Sequence, residues 1–221
     1  MTRVLFLEDE PTIQEVLTEY MKMKDYTVIA ATDGEEALKL LQTQEFDLAV
    51  LDIMVPKISG LEVLQYIKDN REDMPTIMLT ALEDEQTQVK AFNLYADDYV
   101  IKPVSPIILL KRMETILRRV KKKVQKEEPG KGLTIHDESY QAFYDGKALE
   151  LTLSEFLLLQ ALAREPYRAF TREQLILKIF NEDYIGNDRI IDAHVKNLRK
   201  KLPENYIKTV IGIGYQFIKE V

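Results

Sequence analysis

The sequence predicts an α/β fold, a doubly wound parallel sheet, followed by a smaller α+β unit. Three observations predict it. Short apolar runs recur through the first half, separated by stretches with helical spacing, the alternation that builds a parallel sheet. Charged residues stand just past three of those runs: Glu8-Asp9 after Val4-Leu5-Phe6-Leu7, Asp52 after Leu48-Ala49-Val50-Leu51, and Lys102-Pro103 after Tyr99-Val100-Ile101. The second half changes to short strand-like pieces, three helical stretches and two closing strand-like runs.

Element by element, strands are expected near 3–7, 26–30, 47–51, 76–79 and 97–101, and helices near 11–23, 34–43, 59–70, 84–94 and 105–120. Asp33-Gly34, Ser59-Gly60, Pro75 and Pro103 punctuate them as turn or helix-start residues. Right-handed crossovers place the helices on both faces of a five-stranded sheet. Lys121 to Gly130 is charged and ends in Pro-Gly, the end of a helix running into a linker. The expected division is 1–121, a linker over 122–131, and 132–221. In the last part Asp145-Gly146 is a hairpin turn signal. Helices follow near 153–163, 171–179 and 188–201. Thr152 with Glu155, and Thr171 with Gln174, have the spacing of capping boxes. A terminal hairpin around Gly212-Ile213-Gly214 completes a helix-turn-helix with a wing.

Composition narrows the function. The chain has 221 residues and a 46% hydrophobic share, enough for two ordinary cores. No apolar run approaches the roughly 18 residues of a membrane span. The N-terminus leads straight into a strand, so no signal peptide is expected. With no cysteine, disulfides and thiolate metal sites are excluded, and His136 and His194 alone do not make a multi-histidine zinc site. A cytoplasmic location is expected. The net charge of −7 is unevenly spread: residues 1–120 hold 13 basic and 22 acidic residues, against 12 and 13 in 132–221. Within 189–201, Arg189, Lys196, Arg199, Lys200 and Lys201 face a single acid, Asp192. Such a local basic stripe points to nucleic acid more than a whole-chain charge does.

In a doubly wound sheet the ligand site lies beyond the carboxyl ends of the strands. Glu8, Asp9, Asp52 and Lys102 therefore fall on one rim. Three carboxylates and one ammonium suit a divalent cation and a phosphoryl group.

Leu7-Glu8-Asp9-Glu10, Asp52 within Leu51-Asp52-Ile53-Met54-Val55-Pro56, Thr80-Ala81, and Asp97-Asp98-Tyr99-Val100-Ile101-Lys102-Pro103 resemble a response-regulator receiver domain, which is flavodoxin-like. Leu149 to Phe217 resembles the winged-helix effector of the OmpR/PhoB family. Thr171-Arg172-Glu173-Gln174-Leu175, Arg199-Lys200-Lys201-Leu202 and Gly212-Ile213-Gly214-Tyr215 carry that match. The resemblance implies a two-component regulator. Asp52 would accept a phosphoryl group from a histidine kinase. Mg²⁺ would be held by Glu8, Asp9, Asp52 and the backbone carbonyl of Met54. Lys102 would neutralise phosphoryl charge, and Thr80 and Tyr99 would form the switch. Tyr99 as an ordinary half-buried strand aromatic stays open. The Lys102-Pro103 bond is a candidate for cis.

The resemblance also implies homodimerisation on activation, through a face holding Gln88, Asp97, Asp98, Ile108 and Arg112. Gln88 stands where the family usually has Arg, Ile108 where it usually has Glu, and Tyr95 where it usually has Gly. Exposed ion pairs contribute little, so dimerisation tolerates the exchange. Ile108 packing within its own helix layer is the other option.

Ile191, Val195, Leu198 and Leu202 have the spacing of a buried helix face, which turns Arg189, Asp192, Ala193, Lys196, Asn197 and Lys200 away from it. Arg189, Lys196, Asn197, Arg199, Lys200, Thr209 and Tyr215 are the expected contacts to promoter DNA. His194 is open between a phosphate contact and packing, and Lys201 is expected to face outward. Ile211 stands where the family often has an Arg that enters the minor groove. Residues 181–187 resemble a segment that meets RNA polymerase, with a plain solvent loop as the alternative. Two rivals exist: a phosphorylation-independent DNA-binding regulator with an atypical receiver, and a metal-dependent phosphohydrolase. Intact Asp52, Thr80 and Lys102 disfavour the first. Met54, where a second acid is needed, disfavours the second. No enzyme activity is expected beyond self-phosphorylation from the kinase and slow autodephosphorylation.

Overall fold

A computed structural model describes residues 1–71, 73–80, 96–122, 131–180, 190–203 and 205–219. The chain divides into two compact units, Met1–Val120 and Lys121–Val221.

The first unit runs β1 (Arg3–Leu7), α1 (Pro11–Lys22), β2 (Thr27–Ala31), α2 (Gly34–Thr43), β3 (Leu48–Asp52), α3 (Gly60–Asn70), β4 (Thr76–Thr80), β5 (Asp98–Ile101) and α4 (Pro106–Lys122). The five strands form one sheet in the order β2-β1-β3-β4-β5, and every pairing is parallel. The order reverses between β1 and β3, so a crevice opens there beyond the strand ends. β1 and β3 are buried on both faces, which is why they read as unbroken apolar runs rather than alternating ones. Local chemistry starts each helix. Pro11 opens α1, the Asp33 carboxylate accepts from Glu36 N at 2.9 Å, and Ser59 and Glu62 form a reciprocal capping box. The predicted helix near 84–94 lies outside the described residues. α4 continues to Lys122, one residue into the predicted linker, whose remaining part (123–130) is also outside them.

The second unit runs β6 (Leu133–His136), β7 (Gln141–Tyr144), β8 (Lys147–Ala148), α5 (Leu153–Ala163), β9 (Ala169–Thr171), α6 (Arg172–Phe180), α7 (Ile190–Lys201), β10 (Ile207–Val210) and β11 (Gly214–Phe217). β6-β7-β8 and β10-β11-β9 are separate antiparallel sheets. Asp145 (φ 47) and Gly146 (φ 76) turn β7 into β8 with two left-handed residues, as the Asp-Gly signal requires. Both capping boxes form. Thr152 N donates to Glu155 at 3.0 Å and Glu155 N to Thr152 at 3.2 Å, while Thr171 N donates to Gln174 at 3.0 Å and Gln174 N to Thr171 at 3.2 Å. Phe156, Phe170 and Phe217 are fully buried and centre the core, with Ile191, Val195 and Leu198 joining from α7 and Leu202 from just past its end. No described helix is long and apolar enough to cross a membrane.

Candidate functional site

Glu8 and Asp9 leave the end of β1, Asp52 ends β3, and Lys102 follows β5. The fold brings all four to the crevice where the strand order reverses. Carboxylate oxygens of Glu8, Asp9 and Asp52 lie within 4.8 Å of one another. Lys102 Nζ is 2.6 Å from Asp52 Oδ2 and 2.8 and 2.7 Å from the two oxygens of Glu8. Glu8 and Asp52 are buried, whereas Asp9 is exposed. Burial pushes the Glu8 carboxyl above the ordinary range; the Lys102 ammonium opposes this and the Asp52 charge reinforces it. Burial alone would depress the Lys102 ammonium, but its hydrogen bonds to Asp52 and Glu8 outweigh that and raise it.

The support beneath Asp52 is tight. Met54 N donates to Asp52 Oδ1 at 3.1 Å, which fixes the carboxylate and leaves the Met54 side chain in solvent. Gly60 N donates to Ile53 O at 3.1 Å, so the start of α3 seats directly on the end of β3. A Cβ at residue 60 would stand 1.9 Å from the Asp52 carbonyl oxygen. Only glycine permits that approach. The Lys102-Pro103 bond is cis. Tyr99 is buried in the core cluster of the first unit, rather than half-buried. Thr80 ends β4 beside this rim, and its side chain lies outside the described residues.

In the second unit α7 buries Ile191, Val195 and Leu198 and turns Lys196 and Lys200 to solvent, with Asn197 and Asp192 half-exposed. Arg189 and the 181–187 segment lie outside the described residues. Sequence reasoning did not foresee three of the contacts around α7. Arg199 donates to Ile207 O and to Thr209 Oγ1, each at 2.9 Å, so it fastens the wing to the helix. Tyr215 is buried, and its hydroxyl donates to Asp192 at 2.7 Å. Lys201, expected to face outward, instead reaches buried Glu155 at 2.7 Å and Glu150 O at 2.8 Å. His194 is fully buried, which settles it as packing. The wing tip is apolar and open: Ile211 is 95% exposed.

Residues 4–114 match the response regulator receiver domain family, and residues 146–217 match the C-terminal domain family of transcriptional regulatory proteins. The chain belongs to the OmpR/PhoB-type response regulators. It is similar to regulatory protein VanRB of Enterococcus faecalis, 39% identical over 97% of this chain and 96% of that one. It is also similar to the alkaline phosphatase synthesis transcriptional regulatory protein PhoP of Bacillus subtilis, 38% identical over 97% and 95%. Among solved structures it resembles DrrB, an OmpR/PhoB homologue from Thermotoga maritima, with a TM-score of 0.51 and 31% identity over 99% of this chain and 100% of that one. It is thus a DNA-binding transcriptional regulator of the two-component type, and neither matched family is an enzyme family.

In this response regulator three residues expected on the dimer face, Asp97, Asp98 and Arg112, are engaged within the chain. Asp97 accepts from Thr76 N at 2.9 Å and from Lys68 Nζ at 3.2 Å. Asp98 and Arg112 form a buried ion pair with each other. Ile108 is half-buried beside exposed Ile107 on α4. Gln88 and Tyr95 lie outside the described residues.

Proposed function

We propose that Asp52 is the residue on which a partner histidine kinase deposits a phosphoryl group, and that the modified chain pairs with a second copy and binds promoter DNA. The observation that carries this reading is the Lys102 ammonium 2.6 Å from the Asp52 carboxylate, with Glu8 and Asp9 beside it at the switch point of the sheet. An oxygen of Asp52 attacks the phosphorus. The acyl-phosphate bond forms as the phosphorus–nitrogen bond of the kinase phosphohistidine breaks, and the imidazole leaves. Lys102 stays protonated throughout, because its two carboxylate partners favour the charged form, and so it neutralises charge spread over the phosphoryl oxygens. In slow autodephosphorylation, water attacks the phosphorus, inorganic phosphate leaves and the carboxylate is returned.

The donor set fits Mg²⁺. It is all oxygen, clustered within 4.8 Å, and it includes a buried carboxylate that a cation would relieve. Glu8, Asp9, Asp52 and the carbonyl of Met54 would hold the ion, which when bound supplies further neutralisation of oxygen charge. Thr80 and Tyr99 would relay the new charge. Dimerisation would use the face containing Gln88, Asp97, Asp98, Ile108 and Arg112, which requires Asp97, Asp98 and Arg112 to exchange their partners within the chain. On DNA, Lys196, Asn197 and Lys200 present the outward face of α7, and Arg189 would add a further contact. Arg199, Thr209 and Tyr215 hold the wing at its side. The segment 181–187 would meet RNA polymerase. A cytoplasmic location suits these partners.

Incubation with acetyl phosphate and Mg²⁺, followed by intact-mass measurement, should add one phosphoryl group to the parent and none to Asp52→Asn. Equal uptake by the variant would remove Asp52 from the role.

A further inference from the structure

We propose that Asp192 is a positioning residue that withholds Arg172 from DNA phosphates, so that the surface around α7 attracts nucleic acid with one cation fewer than its composition offers. This rests on the reading that α7 is the helix laid on DNA.

Asp192 lies one helical turn before Lys196, on the same side of α7. Its carboxylate is fully engaged with groups from two other elements. Oδ1 accepts from Arg172 Nε at 2.7 Å and from the Tyr215 hydroxyl at 2.7 Å, and Oδ2 accepts from Arg172 Nη2 at 3.3 Å. Arg172 opens α6 and Tyr215 belongs to β11, so three elements meet at one carboxylate. The two-point guanidinium contact has directional strength that a lysine would lack. The Tyr215 ring adds to it, with the guanidinium carbons of Arg172 and Arg199 at 5.6 and 5.7 Å from its centroid.

The pair is only partly exposed, at 32% for Arg172 and 40% for Asp192. In isolation such a pair adds little stability. Its electrostatic effect outward is larger. A phosphate approaching Arg172 meets a carboxylate hydrogen-bonded to the same guanidinium, so it meets a dipole whose field falls off faster than that of a lone charge. Binding to arbitrary sequence depends almost wholly on such charges. Base contacts from Asn197 and its neighbours do not. Cancelling one cation therefore lowers non-specific binding more than specific binding and widens the ratio between them.

The test uses the full chain and a labelled random-sequence duplex in a salt titration read by fluorescence anisotropy. Asp192→Asn keeps the shape and the oxygen that Tyr215 donates to, and circular dichroism checks its fold. It should tighten non-specific binding at low salt and steepen the slope of log K against log salt by about 1 unit, the signature of one added phosphate contact. Adding Arg172→Gln to Asp192→Asn should remove that gain and return the parent slope, which shows that Arg172 carries it. An unchanged slope in Asp192→Asn overturns the proposal, and so does a steepened slope that persists in the double variant. Lys200→Ala separates this from the underlying reading. If it flattens the slope while Asp192→Asn does nothing, only the Asp192 role fails. If it too does nothing, α7 is not the DNA-facing helix.

Discussion

Glu8 and Glu155 are two carboxylates almost wholly removed from solvent, 0% and 1% exposed, and each faces a lysine. They differ in what else they have. Glu155 sits in the first turn of α5, where backbone N–H groups and the helix dipole favour negative charge. It accepts from Thr152 N at 3.0 Å and Lys201 Nζ at 2.7 Å. Its charge is matched locally, and the result is a joint between the start of α5 and the end of α7. Glu8 has Lys102, but Lys102 is shared with Asp52, and Asp9 adds a third carboxylate nearby. Burial raises its pKa. A matched buried charge serves architecture, while an under-matched one beside two other carboxylates is what the proposed cation would relieve.

The largest expected effect breaks the under-matched site on its solvent side. Asp9→Ala should leave the fold intact, since Asp9 is exposed, yet remove measurable Mg²⁺ binding by calorimetry. Retained affinity would mean the cation sits elsewhere. Next in size is the matched site. Lys201→Met strands the Glu155 carboxylate without its cation and should destabilise the C-terminal unit by about 2–3 kcal/mol in urea unfolding. A change under about 0.5 kcal/mol would put the pair among ordinary surface contacts.

A smaller effect of opposite sign sharpens the contrast. A carboxyl whose folded pKa is raised favours folding at pH below its unfolded value, and that contribution is lost as pH rises through the folded value. Glu8 therefore weakens the N-terminal unit on going from acid to neutral pH. Glu8→Gln should remove that loss and move the urea midpoint at neutral pH upward, with no such gain in acid. A variant less stable than the parent at neutral pH would show that Glu8 is as well matched as Glu155. The smallest effect is at the wing tip. Ile211→Arg places a cation on a fully open side chain and should steepen the salt slope by about 1 unit and favour A·T-rich flanks. Weaker binding on every sequence would show the wing being used differently.

The clustering of Glu8, Asp9, Asp52 and Lys102 was legible because these residues sit at strand ends, where topology alone assigns the rim. Asp52, Glu8 and Lys102 needed no knowledge of side-chain packing, only of alternating elements. The capping boxes were legible for a similar reason, since Thr152 and Glu155 are partners three residues apart. The contacts of the DNA-binding half were less so. Helical spacing correctly set which α7 residues are buried, but Arg199 and Lys201 lie at the edges of that face. There a long side chain can bend toward solvent or toward a neighbouring element. What decides is the acceptor that the neighbour offers, the Ile207 carbonyl or the Glu155 carboxylate, and these are distant in the fold's logic from the helix itself. Asp98 and Arg112 show the same gap. The resemblance places them on a dimer face, and in the single chain they pair with each other in the interior.

The seating of Gly60 on β3 has a mechanical consequence. With no room for even a methyl group above the Asp52 carbonyl, the backbone of Asp52 rests on an anvil, the start of α3. If Asp52 gains charge as proposed, any shift of its backbone would meet least resistance away from α3, along the rim where β4 ends at Thr80 and β5 leads into Lys102. One missing side chain gives the site a preferred direction.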